Sequence, residues 1–223
     1  MITVLLADAA LELMPPELRR HPKVLARAKR RRRDPERLLL DQALDHEAMR
    51  GLRDAERRGR PDITHVCLLL LLDSPLNAAG RLRVLVHTQD DALIRVDPAT
   101  RIMRNGAKFA QLVEDLLRQG EVPAGRPLLT LERGVRLPDA LPPGPVVLLD
   151  EAGTLARTPE FARLARAHPD LTLVLGAFPR GAIREPPRAD HVLRVADAPL
   201  SAWSALVPAL AGFEDALLLS GGG

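Results

Sequence analysis

Three observations predict an α/β protein built on a parallel sheet. The last third of the chain reads strand, helix, strand, strand, helix. Its strand segments, Val146–Leu149, Leu171–Leu175 and His191–Val195, are apolar-rich runs rather than alternating ones. Strands of that kind are buried on both faces, as parallel strands under crossover connections must be. At 223 residues the chain is long enough for a full core, as one domain with an insertion or as two small ones. In such sheets ligands bind beyond the carboxyl ends of the strands. Three strand ends are therefore candidates: Leu149-Asp150, Gly176 to Gly181, and Val195 to Leu200.

Taken in order, Ile2–Leu6 predicts a short buried strand, and Ala9–Met14 a helix that stops at Pro15-Pro16. Six cationic side chains then fall within Arg27–Arg33. Such a run is either a solvated helix face or a contact for RNA backbone. Glu36–Leu52 carries Leu38, Leu39, Leu40, Leu44 and Met49 and predicts an amphipathic helix. Gly59 to Gly80 is the organising stretch: Arg60-Pro61-Asp62, the apolar run Ile63–Leu72, then Asp73-Ser74-Pro75. The run is far short of the roughly 20 residues a bilayer span needs, and its periodicity is compatible with a buried helix or strand. Pro61 turns Arg60 out of helical backbone, so Arg60 and Asp62 project from the lip of a buried element. They form either an ion pair on the surface or a guanidinium preset to grip a phosphate or base edge.

Arg81–Thr88 alternates polar and apolar residues, and Ala92–Asp97 answers it across Gln89-Asp90-Asp91, predicting a hairpin. Arg101, Arg104 and Lys108 recur at helical spacing ahead of a helix over Ala110–Gln119, so they would share a face. Residues 120–145 connect, with one short strand at Leu128–Leu131. Thr158 to about His168 is a helix with Pro159 in its first turn. Ser201 caps a closing helix, Ala202–Leu217, interrupted by Pro208, and Ser220–Gly223 reads as a disordered tail.

Composition narrows the chemistry. Net charge is only +3, yet the isoelectric point is about 9.7, and lysine occurs only at Lys23, Lys29 and Lys108. The positive charge is thus almost all arginine, whose planar fork suits phosphate and base recognition. Cys67 is the only cysteine and sits in the apolar run, which excludes an intrachain disulfide or a thiolate metal site. The six histidines are scattered without an HExxH pattern, so no metal is expected. The N-terminus has no basic lead before a long apolar core, so no signal peptide and a cytoplasmic location are expected. No GxGxxG follows a strand and no GxxxxGK[ST] is present, so the phosphate devices of dinucleotide and P-loop sites are missing. A ligand at the strand ends would need little phosphate recognition, and S-adenosylmethionine meets that condition.

Together, Arg60-Pro-Asp-Ile-Thr-His65, Asp73-Ser-Pro-Leu76, Thr100-Arg101-Ile102 through Phe109, Gly176-Ala-Phe-Pro-Arg-Gly181 and Pro199-Leu-Ser-Ala202 resemble a known family. It is that of the small-subunit rRNA pseudouridine N(1)-methyltransferases, the nucleolar essential protein family of archaea and eukaryotes, within the SPOUT class. The likeness covers nearly the whole chain, in order, and the chain is similar to the minimal archaeal type. The resemblance implies an α/β parallel-sheet SPOUT fold with a C-terminal deep trefoil knot, a rare exception to the rule against threading. It implies one domain over residues 1–223, with a basic helical insertion at about 15–58 and a β-β-α extension at about 76–120. It implies a homodimer, S-adenosylmethionine held in the knot, and small-subunit rRNA as substrate, with ribosome-assembly proteins as further partners and no membrane. The cofactor residues it implies are Leu149, Gly176, Gly181, Val195, Ala196, Asp197, Ala198, Pro199 and Leu200. Its rRNA-contacting positions are Arg60, Arg101, Arg104 and Lys108, where lysine replaces the family's arginine and loses the bidentate fork. Asp62 matches the carboxylate that steadies the first arginine and is the nearest candidate base. Met103 stands where the family often has proline. Two other readings stay open: a non-catalytic rRNA-binding assembly factor of the same fold, and a SPOUT methyltransferase acting on tRNA.

Overall fold

The computed structural model describes residues 1–217; the Ser220–Gly223 tail lies outside the described residues. The strands are β1 (Ile2–Ala9), β2 (Leu82–Thr88), β3 (Ala92–Val96), β4 (Glu121–Val122), β5 (Leu129–Arg133), β6 (Val146–Leu155), β7 (Thr172–Gly176) and β8 (His191–Arg194). They form one sheet in the order β4-β5-β3-β2-β1-β7-β6-β8. From β2 to β8 every neighbouring pair is parallel, whereas β3, β5 and β4 add antiparallel strands at one edge. The helices are α1 (Pro22–Arg31), α2 (Gln42–Asp45), α3 (Pro61–Leu72), α4 (Pro75–Ala78), α5 (Gly106–Gln119), α6 (Thr158–Ala167) and α7 (Ala202–Leu217).

Every residue of the central strand β1 is buried. Ile2, Val4 and Leu6 join the main core, and Leu5 and Ala7 join a second core on the other face, as the period of two demands. The two faces are covered differently. Helices α3, α5, α6 and α7 pack on the first, whereas the second is closed by irregular segments carrying Leu137, Ala140, Phe178 and Ile183. The ambiguous run Ile63–Leu72 is helical. Pro61 sits at its first position and Asp62 in its first turn, where both favour a helix start. Burial pushes the Cys67 thiol up to about 12, so it packs as a small hydrophobe.

Three expected helical segments are corrected. Ala9–Met14 is extended: β1 runs to Ala9, and Leu13 bridges Leu39 in antiparallel fashion. Glu36–Leu52 is not one helix, because Leu38–Leu40 is extended and only the short α2 follows. The three leucines divide between two cores, Leu39 facing the main one and Leu38 and Leu40 a satellite under α1. A helix could not have sent adjacent leucines to opposite sides. Arg101 and Arg104 lie in the loop before α5, and only Lys108 is helical. Strand β6 also extends well past Leu149, to Leu155. At the start of α7 the Ser201 hydroxyl meets Ser204 Oγ at 2.8 Å, and the helix continues through Pro208.

The basic run is neither a solvated face throughout nor wholly free for a partner. Arg27 is buried, bonded to Leu39 O at 2.7 Å and paired with buried Asp45 at 2.7 Å. Glu114 of α5 is fully buried and accepts from both Arg31 and Arg33 and from the Leu39 amide at 3.0 Å. One carboxylate therefore joins α1, the Leu38–Leu40 segment and α5. Removing one member of such a buried set leaves unpaired charge behind. Glu114→Ala is expected to lower the unfolding free energy by about 3 kcal/mol in a denaturant titration. A loss below about 1 kcal/mol, the worth of an exposed pair, would show that the set does not organise this region.

Candidate active site

Strands β7, β6 and β8 lie side by side, with Leu149 paired to Leu175 on one side and Leu193 on the other. One residue past this rung β7 and β8 end, at Gly176 and Arg194, while β6 bulges and then runs on to Leu155, and these segments line a cavity of about 390 Å³. That volume falls in the range of small-molecule sites. Of the residues singled out in sequence, Leu149, Gly176, Gly181, Val195, Ala196, Ala198 and Leu200 line it. Asp197 and Pro199 do not, and the Asp197 carboxylate instead pairs with Arg194 at 3.0 Å. The sequence had not singled out Ile183, Arg194, Ala202 and Ala205 as cavity residues. The last two come from the start of α7, where small side chains leave room that no spacing pattern announces.

Both glycines are required by close approach. A Cβ on Gly176 would sit 2.7 Å from the Phe178 ring, so the cavity wall folds back on the strand end. Gly181 has φ +92°, and a Cβ there would lie 2.5 Å from Arg57 Nη1. Arg57 itself was overlooked in sequence. Its guanidinium lies 4.3 Å from the Phe178 ring centroid, donates to Ala182 O at 2.8 Å and is 3.6 Å from the Asp8 carboxylate. Asp8 is buried at the end of β1 with φ +49°. Burial by itself would raise its pKa, but His87, 3.5 Å away, and the hydrogen bond from the Arg184 amide outweigh that and hold it below the ordinary value. A pair of arginines before Gly59 carries no signal in sequence that one of them turns inward.

Arg60 stands three residues further on. Its Nε and Nη2 donate to the two oxygens of Asp62 at 2.8 Å each, a bidentate fork that raises the arginine pKa. The Arg60 amide bonds Ala10 O, and the Ala10 amide bonds Ala177 O. Arg60 is thus two backbone bonds from the loop after β7. The loop carrying Arg101 and Arg104 docks on the same helix: His65 of α3 stacks on Phe109 at 4.3 Å, and its Nε2 meets Met103 O at 2.8 Å. Arg101, Arg104 and Lys108 are exposed, and Arg104 makes only a long contact of 3.8 Å to Asp73. Among the described residues no group of three or more His, Cys, Asp or Glu side chains could hold a metal ion. No described helix is long and apolar enough to cross a membrane.

A parallel sheet with a cavity of small-molecule size at the carboxyl side of its strands defines an α/β protein of the ligand-binding kind. Comparison with known proteins agrees on one family. The model of the EMG1/NEP1 methyltransferases matches residues 4–214. A relative named ribosomal RNA small subunit methyltransferase Nep1, from Thermococcus kodakarensis, is 39% identical over 97% of this chain and 99% of its own. One of the same name from Pyrobaculum calidifontis is 43% identical over 96% and 98%. The crystal structure of Archaeoglobus fulgidus Nep1 bound to S-adenosylhomocysteine superposes with a TM-score of 0.85 at 34% identity, covering 96% of this chain and 97% of that one. The chain belongs to the EMG1/NEP1 methyltransferase family and has its mixed α/β SPOUT fold.

The contacts of Arg57 yield a prediction that needs no ligand. Arg57→Ala and Gly181→Ala, each removing a restraint on residues 178–183 or straining it, are expected to speed amide exchange in that loop by tenfold or more, about 1.4 kcal/mol of local opening. Exchange unchanged in both variants would mean that Arg57 does not hold the cavity wall.

Proposed function

We propose that this chain methylates small-subunit ribosomal RNA using S-adenosylmethionine, and that its target atom is N(1) of a pseudouridine. The observation that carries the reading is the pair of backbone bonds joining Arg60 to the cavity loop through Ala10. They support a reading in which Arg60 would grip an anion near the loop after β7, whose residues line the pocket. The pocket suits the cofactor. It has glycine cradles that a Cβ would fill and apolar strand ends for an adenosine, and the chain lacks a phosphate-binding loop. Leu149, Gly176, Gly181 and the Val195–Leu200 loop would hold it, Asp197 and Pro199 through backbone or loop shape rather than as wall. Bound there, it supplies an electrophilic methyl group.

The remaining work falls to the protein's own side chains. Single-stranded loop nucleotides are read once splayed out. Arg60, Arg101, Arg104 and Lys108 would anchor the phosphates around such a nucleotide, and the fixed Arg60 fork would set its approach. Both Asp62 oxygens are engaged by Arg60, which favours an orienting role over that of a base. Alignment of the reacting atoms and exclusion of water would supply most of the rate.

Gly153 supports a knotted C-terminus. A Cβ there would lie 2.6 Å from the Leu193 backbone, and Leu193 pairs with both Leu149 and Thr154 of β6. The chain after Leu149 therefore bulges against β8 before pairing resumes at Thr154. Leu155, Val192, Leu200 and Val207 are exposed, and a homodimer interface would cover apolar side chains of this kind. In the proposed organisation the chain is one domain, with residues 15–58 as a basic insertion and 76–120 as an extension. A cytoplasmic location and contacts with ribosome-assembly proteins fit the same reading.

Arg60→Ala and Arg101→Ala are expected to weaken binding of a small-subunit rRNA hairpin tenfold or more, about 1.4 kcal/mol each. Calorimetric affinity for S-adenosylmethionine should stay within twofold. Methyl transfer should occur on a pseudouridine-containing hairpin and fail on its uridine counterpart. Cofactor binding without transfer to either RNA would instead favour an assembly factor, and transfer to tRNA alone would move the substrate elsewhere.

A further inference from the structure

A second groove, away from the cavity, lies where the C-terminal ends of α1 and α5 meet. It has a volume of about 410 Å³ and is lined by Lys29, Arg32, Arg33, Arg37 and Arg118, with Asp34 and Asp115 the only acids. The acids are already engaged: Asp115 by Arg33 at 3.1 Å and Asp34 by Arg37 at 3.1 Å. Lys29, Arg32 and Arg118 are exposed and make no ion pair or side-chain hydrogen bond within the described residues. Cations near helix C-termini are individually favourable, by about 0.3–1 kcal/mol, and that accounts for Lys29 and Arg118. It does not account for Arg32. This residue lies beyond the last turn of α1 with φ +52°, a position that glycine fills at least cost.

We propose that this groove binds the phosphates of a double-helical RNA arm, extending the RNA surface of the function proposed above, on which the inference rests. Two observations select this ligand. No aromatic residue lines the groove and Ala28 is its sole apolar wall, so it cannot stack unpaired bases as single-strand binders do. A-form helices are instead recognised through backbone phosphates and hydroxyls. The groove is also continuous with the first arginine set. Lys108, Gln111, Asp115 and Arg118 fall on one face of α5 at helical spacing. Lys108 and Arg118 are ten residues apart, about 15 Å along the axis. A loop nucleotide held at Arg101 and Arg104 would thus leave its stem running along α5 into the groove. The buried Glu114 set holds α1 and α5 at this spacing from below.

The test uses the full-length protein and two RNA probes, an rRNA hairpin with its complete stem and the same loop as an unpaired oligonucleotide. The triple variant Lys29→Ala, Arg32→Ala, Arg118→Ala is expected to bind the hairpin at least tenfold more weakly, with the salt dependence of log K reduced by about two to three. Its affinities for the unpaired loop and for S-adenosylmethionine should stay within twofold. If the triple variant folds poorly, Arg118→Glu alone is expected to weaken the hairpin at least threefold with the loop unaffected. Unchanged hairpin affinity, or equal losses on both probes, would overturn the proposal. Arg60→Ala is run in parallel: if it leaves both probes bound as tightly as the native protein does, the active-site reading fails, independently of what the groove variant shows.

Discussion

A shared rung on three neighbouring parallel strands, Leu149 between Leu175 and Leu193, is the constraint from which the rest of this molecule follows. Just beyond that rung β7 and β8 end and β6 bulges, so all three chains depart from regular pairing at one height. Parallel pairing makes that possible, because every strand end on that side points the same way. The apolar interior of β1 and β7 holds the register, since a slip of one residue would turn buried faces outward. Small residues then make the space: Gly176 folds the loop against Phe178, Gly153 lets the β6 bulge approach the Leu193 backbone, and Ala202 and Ala205 open the α7 side.

A second layer of order is electrostatic and explains why so many arginines coexist in a chain of small net charge. Several of them are structural. Arg27 with Asp45, Arg31 and Arg33 with Glu114, Arg58 with Glu12 and Arg57 with Asp8 connect segments distant in sequence. Burial pushes the Asp45 pKa up and the Arg27 pKa down, against their mutual attraction, so this pair orients more than it stabilises. Other cations, Arg101, Lys108, Lys29, Arg32 and Arg118 among them, are exposed. Division of labour between inward and outward arginines thus assembles the helical side and leaves charge on its surface. Arg57 and Arg60, three residues apart, take opposite roles: one clamps the cavity loop, and the other faces outward beside it.

Sequence was a good guide where one residue type has one physical use. Pro159 marks a helix start, and the apolar runs at Val146 and Leu171 are the buried parallel strands they resemble. It misled where a leucine cluster had two possible periods. Leu38, Leu39 and Leu40 suit a helix as a composition, but two separate cores compete for them and extended backbone serves both. Arg101, Arg104 and Lys108 keep helical spacing by number alone, because Asn105 caps α5 and ends the coil only there.

Determined by the sequence alone were the α/β class, the three candidate strand ends, the Arg60–Asp62 pair and the likeness to one methyltransferase family. All of these rest on local pattern or on short motifs that survive being read in isolation. Tertiary structure alone decided which arginines turn inward, which small residues wall the cavity, and that the ends of α1 and α5 meet. Those outcomes depend on contacts between segments tens of residues apart, such as Glu114 with Arg31 and Arg57 with Ala182. The reason is physical: a side chain's partner is fixed by where the packed core carries its backbone, and no local spacing encodes that position.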